Sequence, residues 1–379
     1  MSKRAHPSEH VSSQADNSSA PSSNKKVRRE TDPEAASTLT QDDVALYDRQ
    51  IRLWGMEAQT RMRNSSILVG GLTGLTNEVC KNLVLAGIGA LTVADGAKVS
   101  VDDLGAQFFI AESDIGKNRA EASMERILNL NPRVKVAALA KDVGSMPEDF
   151  FAGFDFVVLS GADLATMIRI DNICRKHGIK FYAGVMAGFH GLFFCDLMLH
   201  SFVKEIKSGI SKGDTPKISK VQRESHYVAL EDALTKKWGP LSRKQTKNIA
   251  IPLFLAFIIV LKYQQQHGHL PTRKQDAEAL PAFKNTYLES QSLEASVIKD
   301  DQLWTISAML GRDLAPVCAI VGGILAQEII KTMAQNDEPL NNFFVLDAML
   351  SVGAVLPVSP PLPDANGSSS SKAVAMEIL

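Results

Sequence analysis

Residues 46–75 read LYDRQIRLWGMEAQTRMRNSSILVGGLTGL and carry the strongest structural signal in the chain. The stretch begins with an amphipathic segment, Tyr47–Gly55, that contains two arginines. It continues through an apolar strand, Ile67–Val69, into a glycine-rich turn. A strand that leads through such a turn into a helix is typical of α/β nucleotide-binding domains, in which backbone N–H groups and the helix N-terminus hold phosphate. The stretch therefore predicts a nucleotide-binding frame with an arginine segment in front of it.

The turn, residues 70–76 (GGLTGLT), departs from the G-x-G-x-x-G pattern of dinucleotide-binding loops. Counted from Gly71, the third and sixth positions are Thr73 and Thr76. Glycine serves at such positions because it reaches positive φ and leaves space for phosphate. A β-branched residue at positive φ would be strained. We therefore expect a crowded phosphate cradle; the competing interpretation is a tight strand-to-helix connection that binds no nucleotide.

One acidic residue supports the nucleotide-binding interpretation. Asp95 follows Gly74 by 21 residues and ends the next predicted strand. An acidic side chain at that place commonly binds a ribose hydroxyl. By itself, this spacing would suggest a dinucleotide enzyme.

Strands and helices alternate along the rest of the chain. Gly178 gives a typical C-terminal stop after one predicted helix. Continuous apolar strands indicate burial on both faces, as in a parallel sheet covered by helices. The predicted fold class is therefore Rossmann-like α/β, with a mostly parallel sheet, helices on both faces and a mostly helical insertion. The predicted strands are 66–70, 90–94, 154–160, 180–184 and 343–347, and the predicted helices are 77–86, 119–130, 162–177 and 315–334.

Composition divides the chain into four parts. Residues 1–41 are rich in Ser and have few large apolar residues, so we expect a disordered tail. Residues 42–201 and 304–357 have the α/β pattern and form one predicted domain. Residues 202–303 are rich in Lys, Gln and Glu with few strand signals, which predicts the helical insertion. Residues 358–379 are rich in Pro, Gly and Ser and form a second predicted disordered tail.

Charge and cysteine content limit the classes of function. The net charge of −1 gives no indication of nucleic-acid or membrane binding. The four cysteines lack C-x-x-C spacing, so we expect no metal site, and they suggest a reducing, intracellular compartment. The apolar run 249–261 is too short to span a bilayer and predicts a buried helix.

A short basic cluster lies in the N-terminal tail. It consists of Lys25, Lys26, Arg28 and Arg29. Such a cluster can be a nuclear import signal, and a solvated run of charge is the competing interpretation. We expect a nuclear protein, with a cytoplasmic fraction as an open alternative.

Several motifs resemble those of the enzymes that activate ubiquitin-like proteins and of their bacterial ThiF and MoeB relatives. The resemblance covers residues 42–201 and 304–357, which implies a ThiF-like domain. The motifs are 47–55 (YDRQIRLWG), the glycine turn with 81–87 (KNLVLAG), and 105–108 (GAQF). Three further motifs are most similar to the smaller, non-catalytic subunits of SUMO-activating enzymes: 314–317 (LAPV), 322–328 (GGILAQE) and 339–344 (PLNNFF).

The resemblance also implies that this chain has lost most of an active adenylation site. Active members have glycines at Thr73 and Thr76 and an Asn-x-x-Arg motif at residues 103–106, where this chain ends in Ala106. A lysine of the following helix is replaced by Arg119. The remnants of cofactor binding are Gly71, Gly74, Asp95 and Asp163, of which Asp163 matches the magnesium-side aspartate. We therefore expect a pseudo-adenylation domain that binds no cofactor tightly, with ATP and Mg²⁺ bound mainly by a partner subunit.

The resemblance assigns one catalytic role, to Arg49. An arginine at the matching place reaches across the dimer into the partner's ATP site, where it can stabilise phosphate charge in trans. The competing interpretation is that Arg49 and Arg52 form ion pairs on their own helix with Asp48 and Glu57. No cysteine lies in a setting like that of the family's thioester nucleophile, and Cys174 and Cys318 lie in apolar helical patterns.

The resemblance therefore implies a regulatory subunit of a SUMO-activating enzyme. Its expected partners are the catalytic, cysteine-bearing subunit, with which it forms a heterodimer, and SUMO. The first alternative is the non-catalytic subunit that serves the cullin-modifying ubiquitin-like protein. The second is an autonomous enzyme, either a MoeB-like adenylating protein or a Rossmann oxidoreductase.

Overall fold

The computed structural model describes residues 39–208, 217–242, 249–358 and 375–377. The strands are β1 (Ser66–Gly70), β2 (Ala90–Ala94), β3 (Lys135–Leu139), β4 (Phe156–Ser160), β5 (Lys180–Ala187), β6 (His190–Asp196), β7 (Leu199–Ser208), β8 (Lys217–His226), β9 (Phe343–Asp347), β10 (Val352–Leu356) and β11 (Ala375–Glu377). The α-helices are α1 (Gln41–Leu46), α2 (Asp48–Trp54), α3 (Met56–Asn64), α4 (Gly74–Ala86), α5 (Arg119–Leu130), α6 (Glu148–Phe151), α7 (Leu164–His177), α8 (Leu230–Ala233), α9 (Ala250–His267), α10 (Ala279–Ser290), α11 (Asp300–Met309) and α12 (Ala315–Ala334).

A nine-stranded sheet forms the centre of the fold, in the order β11-β10-β9-β6-β5-β4-β1-β2-β3. β1 lies between β2 and β4 in parallel register, with Val69 opposite Val93 and Val158. β1 to β5 are all parallel, whereas β6 is antiparallel to both β5 and β9. The predicted Rossmann-like α/β class is confirmed, and the carboxyl ends of the parallel strands meet at one edge, where such folds place their ligand sites.

Alternate residues of the strands enter two apolar cores, one on each face of the sheet. Ile67 and Val69 pack with α3, α4, α5 and α12 on the first face. Leu68 packs on the second face with α7 and the apolar helix α9. This division follows from the two-residue repeat of a strand and confirms that helices cover both faces.

The segment 202–303 contains an element that the sequence did not predict. β7 and β8 form a separate two-stranded antiparallel ribbon at its beginning. Helices occupy most of the remaining described residues, and α9 packs against β9 and β10 of the main sheet. The predicted insertion therefore shares its core with the α/β domain, and its predicted buried helix at 249–261 is confirmed.

The predicted tails fall mostly outside the described residues. Residues 1–38, with the basic cluster Lys25, Lys26, Arg28 and Arg29, are among them. Near the other end, β11 is hydrogen-bonded to β10, with Met376 opposite Gly353. These three residues differ from the prediction of a disordered tail, because edge strand β10 offers unpaired backbone groups to an extended chain.

Within the described residues, α12 alone is long and apolar enough to cross a membrane. In its most apolar window, 67% of the residues are buried inside the protein. The helix packs against α4, α3 and β6. A buried core helix has these same properties, so the length and apolar character of α12 are only weak evidence for a membrane span.

Candidate functional site

The glycine turn joins β1 to α4 at the carboxyl edge of the sheet. Gly71 has φ of +81°, and a Cβ added there would lie 2.0 Å from the carbonyl oxygen of Ser160. A Cβ at Gly74 would meet Ala106, Asp313 and Cys318 at 2.9–3.1 Å. A side chain at either position would therefore clash with neighbouring protein atoms, which explains why both residues are glycine.

Four consecutive backbone N–H groups of the turn, the donors that would cradle phosphate, donate to the protein itself. Gly71 donates to the Ala94 carbonyl (2.9 Å), Leu72 to Asp95 Oδ2 (2.6 Å), Thr73 to Thr76 Oγ1 (2.8 Å) and Gly74 to Asp313 Oδ2 (2.6 Å). A bound phosphate would have to displace these acceptors. The residues present therefore do not fit a nucleotide triphosphate held by this turn.

The expected strain at the two threonines is wrong. Thr73 has φ of −105° as the N-cap of α4, and Thr76 lies within that helix. Their polar atoms are engaged: the Thr73 hydroxyl lies 2.9 Å from Ser160 Oγ, and Thr76 Oγ1 donates to the Gly71 carbonyl at 2.7 Å. The two threonines therefore bond to groups of the turn and of the end of β4, and Thr73 has the extended backbone conformation that is usual at an N-cap.

Asp95 is buried and fully engaged by this chain. Besides the Leu72 N–H, it accepts from the Ala97 N–H at 2.7 Å and from Arg119, whose guanidinium lies 2.9 Å from Oδ2. Arg119 also lies 3.1 Å from Asp103 Oδ1. The carboxylate expected at a ribose is thus neutralised by an internal arginine.

Asp313 is a member of the site that the sequence analysis missed. It lies 239 positions from Gly74 and two residues before the start of α12, and no local pattern connects the two. Burial raises the pKa of its carboxyl group, while the Gly74 N–H and the positive charge of Arg119 act to lower the pKa. The carboxylate stands at the N-terminus of α4, where the helix dipole favours negative charge.

Asp163 caps a helix in this structure. Its Oδ1 accepts the Thr166 N–H at 2.7 Å at the start of α7, and the side chain is exposed. A Cβ added to Gly161 would lie 3.5 Å from Thr73 Cγ2, so the end of β4 lies beside the glycine turn. The fold therefore brings the turn, Asp95 and the β4–α7 connection together. In that connection Asp163 serves as the N-cap of α7.

Arg49 lies on α2, which starts at the other end of α4. Tyr47 precedes α2, and a Cβ added to Gly87 would lie 2.5 Å from the Tyr47 ring. Gly87 ends α4, whose 13 residues begin at Gly74. At a rise of about 1.5 Å per residue, these two helix ends are roughly 20 Å apart.

The two arginines of α2 differ in their contacts. Arg52 pairs with Asp48 at 3.0 Å, which confirms one of the expected ion pairs. The Arg49 side chain is exposed and makes no hydrogen bond or ion pair with any residue that the structure describes. Beside it on the same helix, Leu53 is 75% exposed, whereas Trp54 Nε1 donates to Gln59 Oε1 at 2.9 Å.

The four cysteines are free and buried. Burial raises the pKa of Cys80 to about 12 and raises the pKa values of Cys174, Cys195 and Cys318. A thiol attacks as the thiolate, so these environments disfavour nucleophilic chemistry. Across the described ranges, no group of three or more His, Cys, Asp or Glu side chains is placed to hold a metal ion.

Comparisons with known proteins agree with this architecture. The sequence matches the ThiF family over residues 47–365. It is 38% identical to SUMO-activating enzyme subunit 1 of Rattus norvegicus, with 85% of this chain and 96% of that protein covered. The protein of the same name from Mus musculus is 39% identical (84% and 94% covered), and that from Homo sapiens is 37% identical (86% and 98% covered). A sheet of this topology, the glycine turn at its carboxyl edge and a family match across most of the sequence lead to one conclusion: the chain belongs to the ThiF family.

Proposed function

We propose that this chain is the regulatory, non-catalytic subunit of a heterodimeric SUMO-activating enzyme. It pairs with the catalytic subunit that bears the thioester cysteine. The pair uses ATP to adenylate SUMO and then activates SUMO as a thioester. In this proposal, ATP and Mg²⁺ bind mainly to the partner, and this chain contributes Arg49 to the partner's ATP site.

The observation that carries the proposal is the placement of Arg49. Its guanidinium is exposed, has no partner among the described residues, and belongs to a helix that starts about 20 Å from the N-terminus of α4. An arginine left free at the surface can enter a site on another chain. There its planar, permanently charged group can stabilise the charge that develops on phosphate oxygens as pyrophosphate leaves.

The chain's own glycine turn supports a scaffolding role. Its N–H groups are engaged by internal acceptors, and Asp95 is held by Arg119. The described cysteines are all buried. We therefore propose that the chain alone neither hydrolyses ATP nor forms a thioester.

An exposed apolar side chain supports association with a partner. Leu53 lies one helical turn after Arg49 on α2, so the two side chains share a face. Burial of Leu53 against the catalytic subunit would gain hydrophobic free energy and fix the position of α2. Arg49 would then be presented from an anchored helix.

Relatives named SUMO-activating enzyme subunit 1 favour this proposal over the cullin-modifying pathway. The internally filled turn disfavours an autonomous MoeB-like enzyme or an oxidoreductase. Nuclear localisation is proposed on the basic cluster Lys25, Lys26, Arg28 and Arg29 alone.

Affinity purification followed by an adenylation assay tests the proposal. The tagged full-length chain should copurify a catalytic subunit, and SUMO-dependent ATP–pyrophosphate exchange should require that copurifying chain. Exchange by the purified chain alone, or copurification only with the catalytic subunit of the cullin-modifying pathway, would contradict the proposal.

A further inference from the structure

Helix α2, which carries Arg49, is held to the domain at its two ends. None of its seven residues, Asp48–Trp54, is buried. A helix this short has little stability of its own in water, so its position depends on contacts with the rest of the fold. The structure provides one such contact just before the helix, at Tyr47, and another at its last residue, Trp54.

The first contact is made by Tyr47, which is only 2% exposed. Its ring lies against Gly87, where an added Cβ would be 2.5 Å from the ring. Its hydroxyl accepts from Asn131 Nδ2 at 2.8 Å, and the same amide nitrogen donates to the Val84 carbonyl at 2.9 Å. Tyr47 is thereby joined to the last turn of α4.

The second contact is a chain of two hydrogen bonds that passes through Gln59 of α3. Trp54 Nε1 donates to Gln59 Oε1, and Gln59 Nε2 donates to the Ala86 carbonyl, each at 2.9 Å. Gln59 is completely buried. Ala86 is the last residue of α4, and the last carbonyl groups of a helix lack partners within it. Both ends of α2 are therefore tied to the same end of α4.

We propose that Tyr47 and Trp54 are positioning residues that hold Arg49 in place, through these two contacts, before the partner subunit binds. Arg49 lies between them, two residues after Tyr47 and five before Trp54. This inference rests on the proposed function, in which Arg49 enters the partner's ATP site. A helix that is already fixed loses less conformational freedom on binding. Its position also matters to the rate, since a displacement of about 1 Å can slow a reaction roughly 100-fold.

Trp54→Phe tests the inference, because it removes the indole N–H and keeps an aromatic ring that can pack against the core. In the reconstituted pair, it should lower the kcat of SUMO-dependent ATP–pyrophosphate exchange about five-fold. The KM for ATP and the affinity between the subunits should stay nearly unchanged. Thr60→Val is the matched control and should leave kcat within about two-fold. Thr60 follows Gln59 on α3, and its hydroxyl donates to the Met56 carbonyl of the same helix at 3.0 Å.

A double-mutant cycle separates positioning of Arg49 from a general loss of stability. If Trp54 acts through Arg49, Trp54→Phe should change exchange by less than about two-fold in the Arg49→Ala background. A loss of stability unrelated to Arg49 would slow exchange equally in both backgrounds. Tyr47→Phe is the second variant, should Trp54→Phe fail to fold. It removes only the hydroxyl that accepts from Asn131, and its effect should depend on Arg49 in the same way.

Amide hydrogen exchange of the free chain tests the anchoring without the partner. The amides of α2 should exchange at least about three-fold faster in Trp54→Phe than in the unaltered chain, and Thr60→Val should not change them. The inference is overturned if α2 exchanges no faster, if adenylation is not slowed, or if it is slowed equally in both backgrounds. The proposed function survives those three results, whereas an unchanged rate in Arg49→Ala would contradict the proposed function itself.

Discussion

The guanidinium of Arg119 lies 2.9 Å from Oδ2 of Asp95, at the strand end where the sequence analysis expected a ribose. Both side chains are largely buried, with 19% and 3% of their surfaces exposed. Breaking such a pair leaves a buried charge without its counterion. Asp95 therefore has a structural role in this chain, in place of the ribose-binding role that its spacing suggested.

Loss of Arg119 should destabilise the protein. Arg119→Ala removes the counterion of a buried carboxylate, so we expect the free energy of unfolding to fall by about 3 kcal/mol. Urea denaturation measures this change. Arg52→Ala is the control, since its pair with Asp48 is exposed and should contribute about 0.5 kcal/mol or less. Equal effects of the two substitutions would contradict a structural role for Arg119.

Gly71 should tolerate no side chain. Gly71→Ala forces a Cβ against the Ser160 carbonyl at a backbone φ of +81°, and we expect a loss of about 3 kcal/mol or more, or failure to fold. Gly153→Ala is the matched control, because a Cβ there meets nothing within 4 Å. Thermal melts of the two variants check this. A Gly71→Ala protein as stable as Gly153→Ala would show that the turn can rearrange.

A buried carboxyl group should make stability fall as pH rises. Asp171 is fully buried, and burial together with the nearby negative charge of Asp196 raises the pKa of Asp171 from 3.8 to about 8. The folded state thus binds a proton that the unfolded state releases. This contribution to stability is complete below about pH 4 and is lost as the pH rises through the folded pKa.

Asp171→Asn should remove that dependence. The amide oxygen can still accept the Leu230 N–H, which lies 2.6 Å from Asp171 Oδ2. Relative to the unaltered chain, the variant should gain roughly 1 kcal/mol in free energy of unfolding per pH unit as the pH rises from about 5 to about 8. Urea titrations at several pH values measure the gain, and Asp42→Asn, at an exposed position, is the control. A pH-independent difference for Asp171→Asn would contradict the assignment.

The thiols should be unreactive in the folded chain. Because all four are buried, an aromatic disulfide reagent should label less than one thiol per native chain and four in denaturant. Absorbance of the released thiolate gives the count. Rapid labelling of one native thiol would identify a reactive cysteine and contradict the proposed absence of a nucleophile.

The sequence predicted several of the buried elements but missed others, including strand β6 (His190–Asp196), whose residues are nearly all buried. The predicted helices at 119–130 and 315–334 coincide with Arg119–Leu130 and Ala315–Ala334. The first helix has an amphipathic pattern, and the second has a proline in its first turn. Both signals can be read from the local sequence. The ribbon of β7 and β8 was missed because exposed Lys and Glu interrupt its apolar pattern, as at Lys204 and Glu224.

The site was only partly predictable. Gly71, Gly74 and Asp95 do converge at the carboxyl edge, as their spacing after strands indicated. Asp313 could not be found in this way, because it is separated from Gly74 by 239 positions in the sequence and only the fold brings the two together. Thr73 does not have the positive φ that the dinucleotide-loop pattern implies, because it is the N-cap of α4 and its backbone is extended.

We predict that Arg49 acts in the ATP site of the partner subunit. Arg52, on the same helix, provides the control. The measurement is SUMO-dependent ATP–pyrophosphate exchange by the reconstituted pair, with subunit affinity measured in parallel. Arg49→Ala should slow exchange by about ten-fold or more while leaving the affinity nearly unchanged, since an arginine that stabilises phosphate charge acts on the transition state. Arg52→Ala, which removes the same charge from an exposed ion pair within this chain, should leave exchange within about two-fold of the unaltered pair. Unchanged exchange in Arg49→Ala, or an equal loss in both variants, would contradict the claim.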